Sequence, residues 1–403
     1  VGVRLMTMFG SQWLANAGAS YEIDQSIRFN DDDSAYLTRT PGSAGNQRTF
    51  TFSTWVKFCT IKADNTLFSS WIASGASAYA LIYIDSSFRL RFEDQNNTKI
   101  ITTQVFRDTS AWYHVVVRVD TTDSTSGDRY QMYINGSRVT SFTTETQPAV
   151  NYQTNVNKTQ PHYLGRNGYS LAMLYSDLYQ AETHFIDGTA LDASSFGETN
   201  DDGVWVPKAY DGSYGTNGFY ITGETAGDLG EDFSGNNNDF TSTGLTTTDQ
   251  MLDTPTNNFC TWNPLDKNTS ITLSEGNLEL AVGSVDSSAR STFAASSGKW
   301  YWEIAITSSS GNGTVGVTNS FHSLSSTPGN STVGVGYRCS DGGKIVNGVY
   351  TPSYGASYTT GDVIGVALNM DDGEVTFYKN NTSQGVAATG LSGTLFAAAG
   401  DEN

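Results

Sequence analysis

The stretch Trp112-Tyr113-His114-Val115-Val116-Val117-Arg118-Val119-Asp120, followed by Tyr130-Gln131-Met132-Tyr133-Ile134-Asn135-Gly136, decides how this chain folds. Tyr113, Val115, Val117 and Val119 fall on one face of an extended segment, and His114 and Arg118 on the other. A period of two is that of a half-buried β-strand, because successive side chains point to opposite sides of a sheet. Asn-Gly then closes a hairpin, since both positions of its tight turn need positive φ. The same grammar recurs outward from this hairpin. Thr49–Val56 is aromatic and β-branched. Tyr79–Ile84 and Phe88–Phe92 flank a short Asp-Ser-Ser turn. Further along come Lys299–Ile306, Thr314–Val317, Thr332–Gly336, Val363–Met370 and Glu374–Tyr378. The one helix-like stretch is a single turn near Ala190–Phe196.

Composition agrees with an all-β chain. Of 403 residues 41 are Gly, and Ser, Thr and Asn are abundant, which suits turns and strands better than helices. Acidic residues outnumber basic ones, 41 to 22, for a net charge of −19. That excludes a basic face for nucleic acid and a polybasic membrane anchor. No run of about 20 apolar residues exists to cross a membrane as a helix, and the first 18 residues lack the apolar core of a signal peptide. Cys59, Cys260 and Cys339 are distant and odd in number, so they read as buried small hydrophobes.

A polar stretch beginning near Gly223 separates two strand-rich units. The divisions expected are an N-terminal arm over 1–21, a first unit over 22–222, a linker rich in Gly, Asn, Asp and Thr over 223–270, and a second unit over 271–403.

Ser26–Lys57, WYHVVVRVD and YQMYINGSRV resemble laminin-G-like or pentraxin-like domains. Leu178–Ile221 is similar to the closing segment of laminin-G-like domains in tailed-phage structural proteins, and Asp253–Asp266 resembles the connector of such proteins. Gly298–Ile304, Val333–Gly348 and Gly361–Asn381 resemble a SPRY domain. The resemblance implies two concanavalin A-like antiparallel β-sandwiches of jelly-roll type in tandem, the second lacking its last strand because the sequence stops at LFAAAGDEN.

Catalytic chemistry finds little footing. Retaining glycosidases on this fold place two carboxylates about 5 Å apart from one strand. Here Glu22 and Asp24 begin such an E-x-D-x-x-E strand, but Ile27 stands where the third acid, the acid/base, would be. The four histidines are scattered, and no G-x-S-x-G, P-loop or H-E-x-x-H occurs. The expectation is a protein without enzymatic activity. For ligands, aromatic rings can stack on sugars. Tyr350, Tyr354 and Tyr358 form one cluster, and Tyr210 and Tyr214 another. Asp31 and Asp33 are the residues put forward for a calcium ion, the one cofactor considered. Leu5, Met8, Phe9 and Trp13 are put forward as a docking element.

The phage-type resemblance implies a virion protein of a tailed phage: a tail fibre or spike that binds host surface glycan. The alternatives are a capsid or tail decoration protein and, in a different class, a polysaccharide depolymerase. Its expected partners are other virion proteins and copies of itself in a trimer. Its expected place is the virion, after assembly in the bacterial cytoplasm.

Overall fold

The computed structural model describes residues 2–9, 21–62, 65–71, 78–95, 98–168, 174–283, 286–309, 311–331 and 333–401; for 2–9 it gives the backbone only. All pairings between strands are antiparallel, and the described helical residues are confined to single 3-10 turns such as Ala193–Ser195. The chain divides into two units, Leu14–Asn258 and Val1–Trp13 with Phe259–Asn403.

In the first unit two sheets of eight strands enclose one core. The sheet carrying the diagnostic hairpin runs Ser137–Arg138, Tyr130–Ile134, Tyr113–Asp120, Thr49–Phe58, Leu178–Asp187, Ser26–Phe29 and Gln250–Met251, with Phe219–Ile221 also paired to Leu178–Asp187. The facing sheet runs Phe142–Thr146, Thr98–Val105, Arg89–Asp94, Tyr79–Ile84, Asn65–Trp71, His162–Leu164, Tyr36–Arg39 and Thr241–Thr243. Val115, Val117 and Val119 lie in the core with Phe50, Phe52 and Phe92, as alternation requires. Asn135 and Gly136 take φ values of 46° and 78°, those the hairpin turn demands.

The expected linker over 223–270 is corrected by the sheets. Residues 223–258 are not a linker. Thr241–Thr243 and Gln250–Met251 are edge strands of the two sheets. Buried Arg28 and Lys57 meet Asp249 and Asp253 at 2.8 and 2.7 Å, and the Trp112 indole donates to Asp253 at 2.9 Å. Polar composition suggested a tether, but these acids serve as counter-ions for cations on the sheet.

The second unit is again two sheets, of seven strands each. One runs Thr272–Ser274, Glu279–Ala281, Gly2–Phe9, Lys299–Ser308, Val363–Asn369, Glu374–Lys379 and Thr382–Ala388. The other runs Trp262–Lys267, Ser287–Ala295, Leu395–Asp401, Gly313–Thr318, Gly334–Arg338, Lys344–Val346 and Val349–Thr351. Trp302, Ile304 and Ile306 alternate into a core shared with Val366, Leu368 and Phe377. The expected N-terminal arm is an inner strand of this unit, with Leu5, Met8 and Phe9 opposite Ile304, Trp302 and Tyr301. Trp13 lies outside the described residues. The second sandwich is not short of its last core strand either. Leu395–Asp401 is that strand, paired on one side with Ser287–Ala295 and on the other with Gly313–Thr318.

Candidate binding site

The loop after Gly313–Thr318 is polar, Asn319 to Ser331, and is tied down from inside. Buried His322 bonds Ser331 Oγ at 2.9 Å through Nδ1. Arg290, held by Asp266 at 2.7 Å, donates through Nη1 to the carbonyl oxygens of Asn319 and His322 at 3.2 and 2.9 Å. The Asn319 side chain also accepts from the Phe321 backbone N–H at 3.1 Å. With the backbone fixed on both sides, the Phe321 ring is left 91% exposed. It stands at the rim of a pocket of about 300 Å³ lined by Asn319, Ser320, Phe321, Val333, Asn347 and the turn 390–394. Gly390 and Gly393 of that turn have φ of 72° and 80°, which glycine reaches without strain. The named rim residues and the turn Gly-Leu-Ser-Gly-Thr carry no ionisable side chain, so the pocket offers an apolar ring, small amides and hydroxyls, and backbone groups.

The sites expected from the sequence are dispersed. Tyr358 is corrected to a core residue: it is 4% exposed, its ring packs on Tyr337, and its hydroxyl donates to the Tyr337 carbonyl at 2.6 Å. Tyr354 is half-buried, edge-on to Tyr337 and Phe377, with the Lys344 ammonium 5.1 Å from its ring. Burial pushes its phenol up to about 12. Tyr350 is exposed on the edge strand Val349–Thr351, bonded to Asp341, with Arg338 5.6 Å from its ring. In the first unit Tyr210 and Tyr214 pack over the outer face of the sheet, against Val116, Ile186 and Phe196. The Tyr214 hydroxyl lies 2.9 Å from His184 Nδ1, and burial raises its pKa. Both rings therefore cover the outer face of the sheet and keep part of their surface exposed.

Asp31 pairs with Lys62, and Asp33 accepts from Asn30 at 2.8 Å, so the two carboxylates are engaged separately. Among the described residues no three His, Cys, Asp or Glu side chains are grouped to hold a metal ion. Phe321 escaped the sequence reading. A lone Phe in a polar loop was its only signal, and only the anchoring of its neighbours shows that the ring cannot turn inward.

Residues 30–175 match the concanavalin A-like lectin/glucanases superfamily, and residues 299–400 match the SPRY domain. The chain carries a concanavalin A-like domain followed by a SPRY domain. Ran-binding protein 9 of Xenopus tropicalis is 34% identical over 149 residues, covering 34% of this chain and 27% of the relative. Human Ran-binding protein 9 is 32% identical over 149 residues, covering 34% of this chain and 20% of the relative. The chain therefore spans about a quarter of these relatives or less. Among solved structures, domains LG4-5 of the mouse laminin alpha1 chain share 11% identity, with 95% of this chain and 84% of that one covered at a TM-score of 0.32.

These relatives overturn the virion reading. Curated proteins similar to the chain are Ran-binding proteins of frog, fly and human, which are eukaryotic. The expected role as tail fibre or spike falls with it, as do the virion partners and the assembly in a bacterial cytoplasm.

Proposed function

We propose that the chain is a non-enzymatic protein-binding molecule whose SPRY domain takes up a short segment of a partner protein at the Phe321 pocket. The observation that carries this is a large apolar ring, 91% exposed, on a loop whose backbone is locked by Arg290 and His322. A rigid exposed aromatic loses little freedom on binding and gains about 1.5–3 kcal/mol when covered. The uncharged rim of amides, hydroxyls and backbone groups suits the peptide groups of an extended segment. The relatives' names point to Ran as the first partner to test.

The test is titration of purified Ran, in both nucleotide states, and of a peptide library against the full chain and its Phe321→Ala variant. Saturable binding that weakens about tenfold or more in the variant, as expected for an aromatic anchor, supports the reading. Binding unchanged in the variant overturns the site. No binding of Ran or of any peptide overturns the proposed function.

A further inference from the structure

The outer face of the Tyr36–Arg39 and His162–Leu164 strands holds a cation with no carboxylate. Arg166 is 7% exposed, and its guanidinium carbon lies 4.7, 5.0 and 5.7 Å from the ring centroids of Tyr36, Tyr163 and Tyr175. Such contacts offset only part of what removing a charge from water costs. No described carboxylate forms an ion pair with it. In a chain with 41 acids to 22 bases this is unusual. Its buried Nε–H has no acceptor.

A second orphan donor belongs to the same sheet as Tyr36 and Tyr163. Trp71 Nε1–H is also buried without an acceptor. Gly168 lies between Trp71 and Tyr163, one of the rings around Arg166: a Cβ placed there would sit 3.0 Å from the Tyr163 ring and 3.2 Å from Trp71 Cβ. The local backbone is fixed around them: Ser69 Oγ donates to the Arg166 carbonyl at 2.8 Å and accepts from Gly168 N–H at 3.3 Å, and Trp71 N–H donates to the Pro161 carbonyl at 3.0 Å. Both unmet groups are donors, one of them charged. What is missing is an acceptor that carries negative charge.

We propose that Arg166, flanked by Tyr36, Tyr163 and Tyr175 and seconded by Trp71, is the anchor of a site for an oxyanion ligand, a carboxylate or a phosphate. The guanidinium fork matches either group, and the tyrosine rings exclude water from the contact. The site is in the concanavalin A-like domain and does not depend on the Phe321 pocket.

The test titrates the full chain with potassium acetate or potassium phosphate, ionic strength being held constant with chloride. The readouts are the nitrogen-15 resonances of the arginine Nε–H and tryptophan indole groups. Arg166→Met and Trp71→Phe identify the two resonances, and Arg166→Lys stands in if the methionine variant does not fold. A saturable shift of both resonances, with affinity reduced about tenfold or more in the Arg166 variant, supports the site, as loss of a charge-assisted bond requires. Response to one probe alone names the ligand's source. A linear shift with both probes, or the same saturation in the Arg166 variant, overturns it.

Discussion

The indole Nε1–H of Trp205 donates to Nδ1 of His114 at 3.1 Å, and the other ring nitrogen of His114 lies 2.9 Å from Ser53 Oγ. That bond fixes the tautomer: Nδ1 must be bare, and the proton sits on Nε2 facing Ser53. The imidazole is stacked between Trp55 at 4.8 Å and Trp205 at 5.9 Å, with no exposed surface. Charging it would set N–H against N–H.

Acid stability follows from this pair. Burial, with His184 adding to it, lowers His114 to about 3, against about 6.5 in the unfolded chain. Below pH 6.5 the unfolded state binds the extra proton, so stability is full above that pH and falls as pH drops toward 3. The loss attributable to this residue is on the order of 5 kcal/mol at most. His114→Phe should flatten the acid limb of a urea-denaturation series between pH 4 and 7. It should also cost about 1–3 kcal/mol at pH 7, because the Trp205 donor is orphaned. An acid limb unchanged in the variant would contradict the assignment.

Asp177 has the opposite sign. It is buried, one carboxylate oxygen lacks a partner, and burial with Asp31 beside it pushes the group up to about 7. Between pH 3.8 and 7 the unfolded chain has released this proton and the folded chain has kept it. Stability from this group is therefore full at low pH and declines as pH rises to 7. Asp177→Asn should stabilise the first unit at pH 8 by up to about 4 kcal/mol and leave it little changed at pH 4. Thermal melts at the two pH values decide it; equal effects at both would refute the account.

Gly136 serves two needs at once. Its φ is 78°, and a Cβ would fall 2.4 Å from the Trp205 ring. Gly136→Ala should cost about 2–4 kcal/mol by strain and overpacking together. Asn135→Gly, at a φ of 46°, is expected to lose only the bond that His114 N–H donates to Asn135 Oδ1. Melting temperatures of the two variants, measured side by side, test the difference.

Deletion of residues 1–9 removes an inner strand and opens the edges of Glu279–Ala281 and Lys299–Ser308. Exposed edges pair with other chains. The truncated protein should lose the cooperative transition of the SPRY unit and aggregate, as seen by calorimetry and light scattering. A SPRY unit melting as in the full chain would show the strand to be dispensable.

The sequence alone settled what is local. Alternation of Val115, Val117 and Val119, and the Asn135-Gly136 turn, are contained within a few residues, so the strands, the hairpin and the all-β class could be read from order and side-chain chemistry. One 3-10 turn, Ala193–Ser195, was also legible, near Ala190–Phe196; those at Ser126–Asp128 and Thr247–Asp249 were not. Pairing between distant segments was not. Gly2–Phe9 lies next to strands about 275 to 306 residues away in sequence, and nothing in its own residues names Ile304 as a neighbour. Asp249 and Asp253 read as linker acids until Arg28 and Lys57 were found against them. Tyrosine clusters looked alike in sequence. Packing alone put Tyr358 in the core, Tyr214 on His184 and Tyr350 in water, because burial depends on the whole fold and not on the neighbours along the chain. For the same reason Phe321 and Arg166 emerged only from the tertiary structure: one is held outside by its anchored backbone, the other inside without an acid.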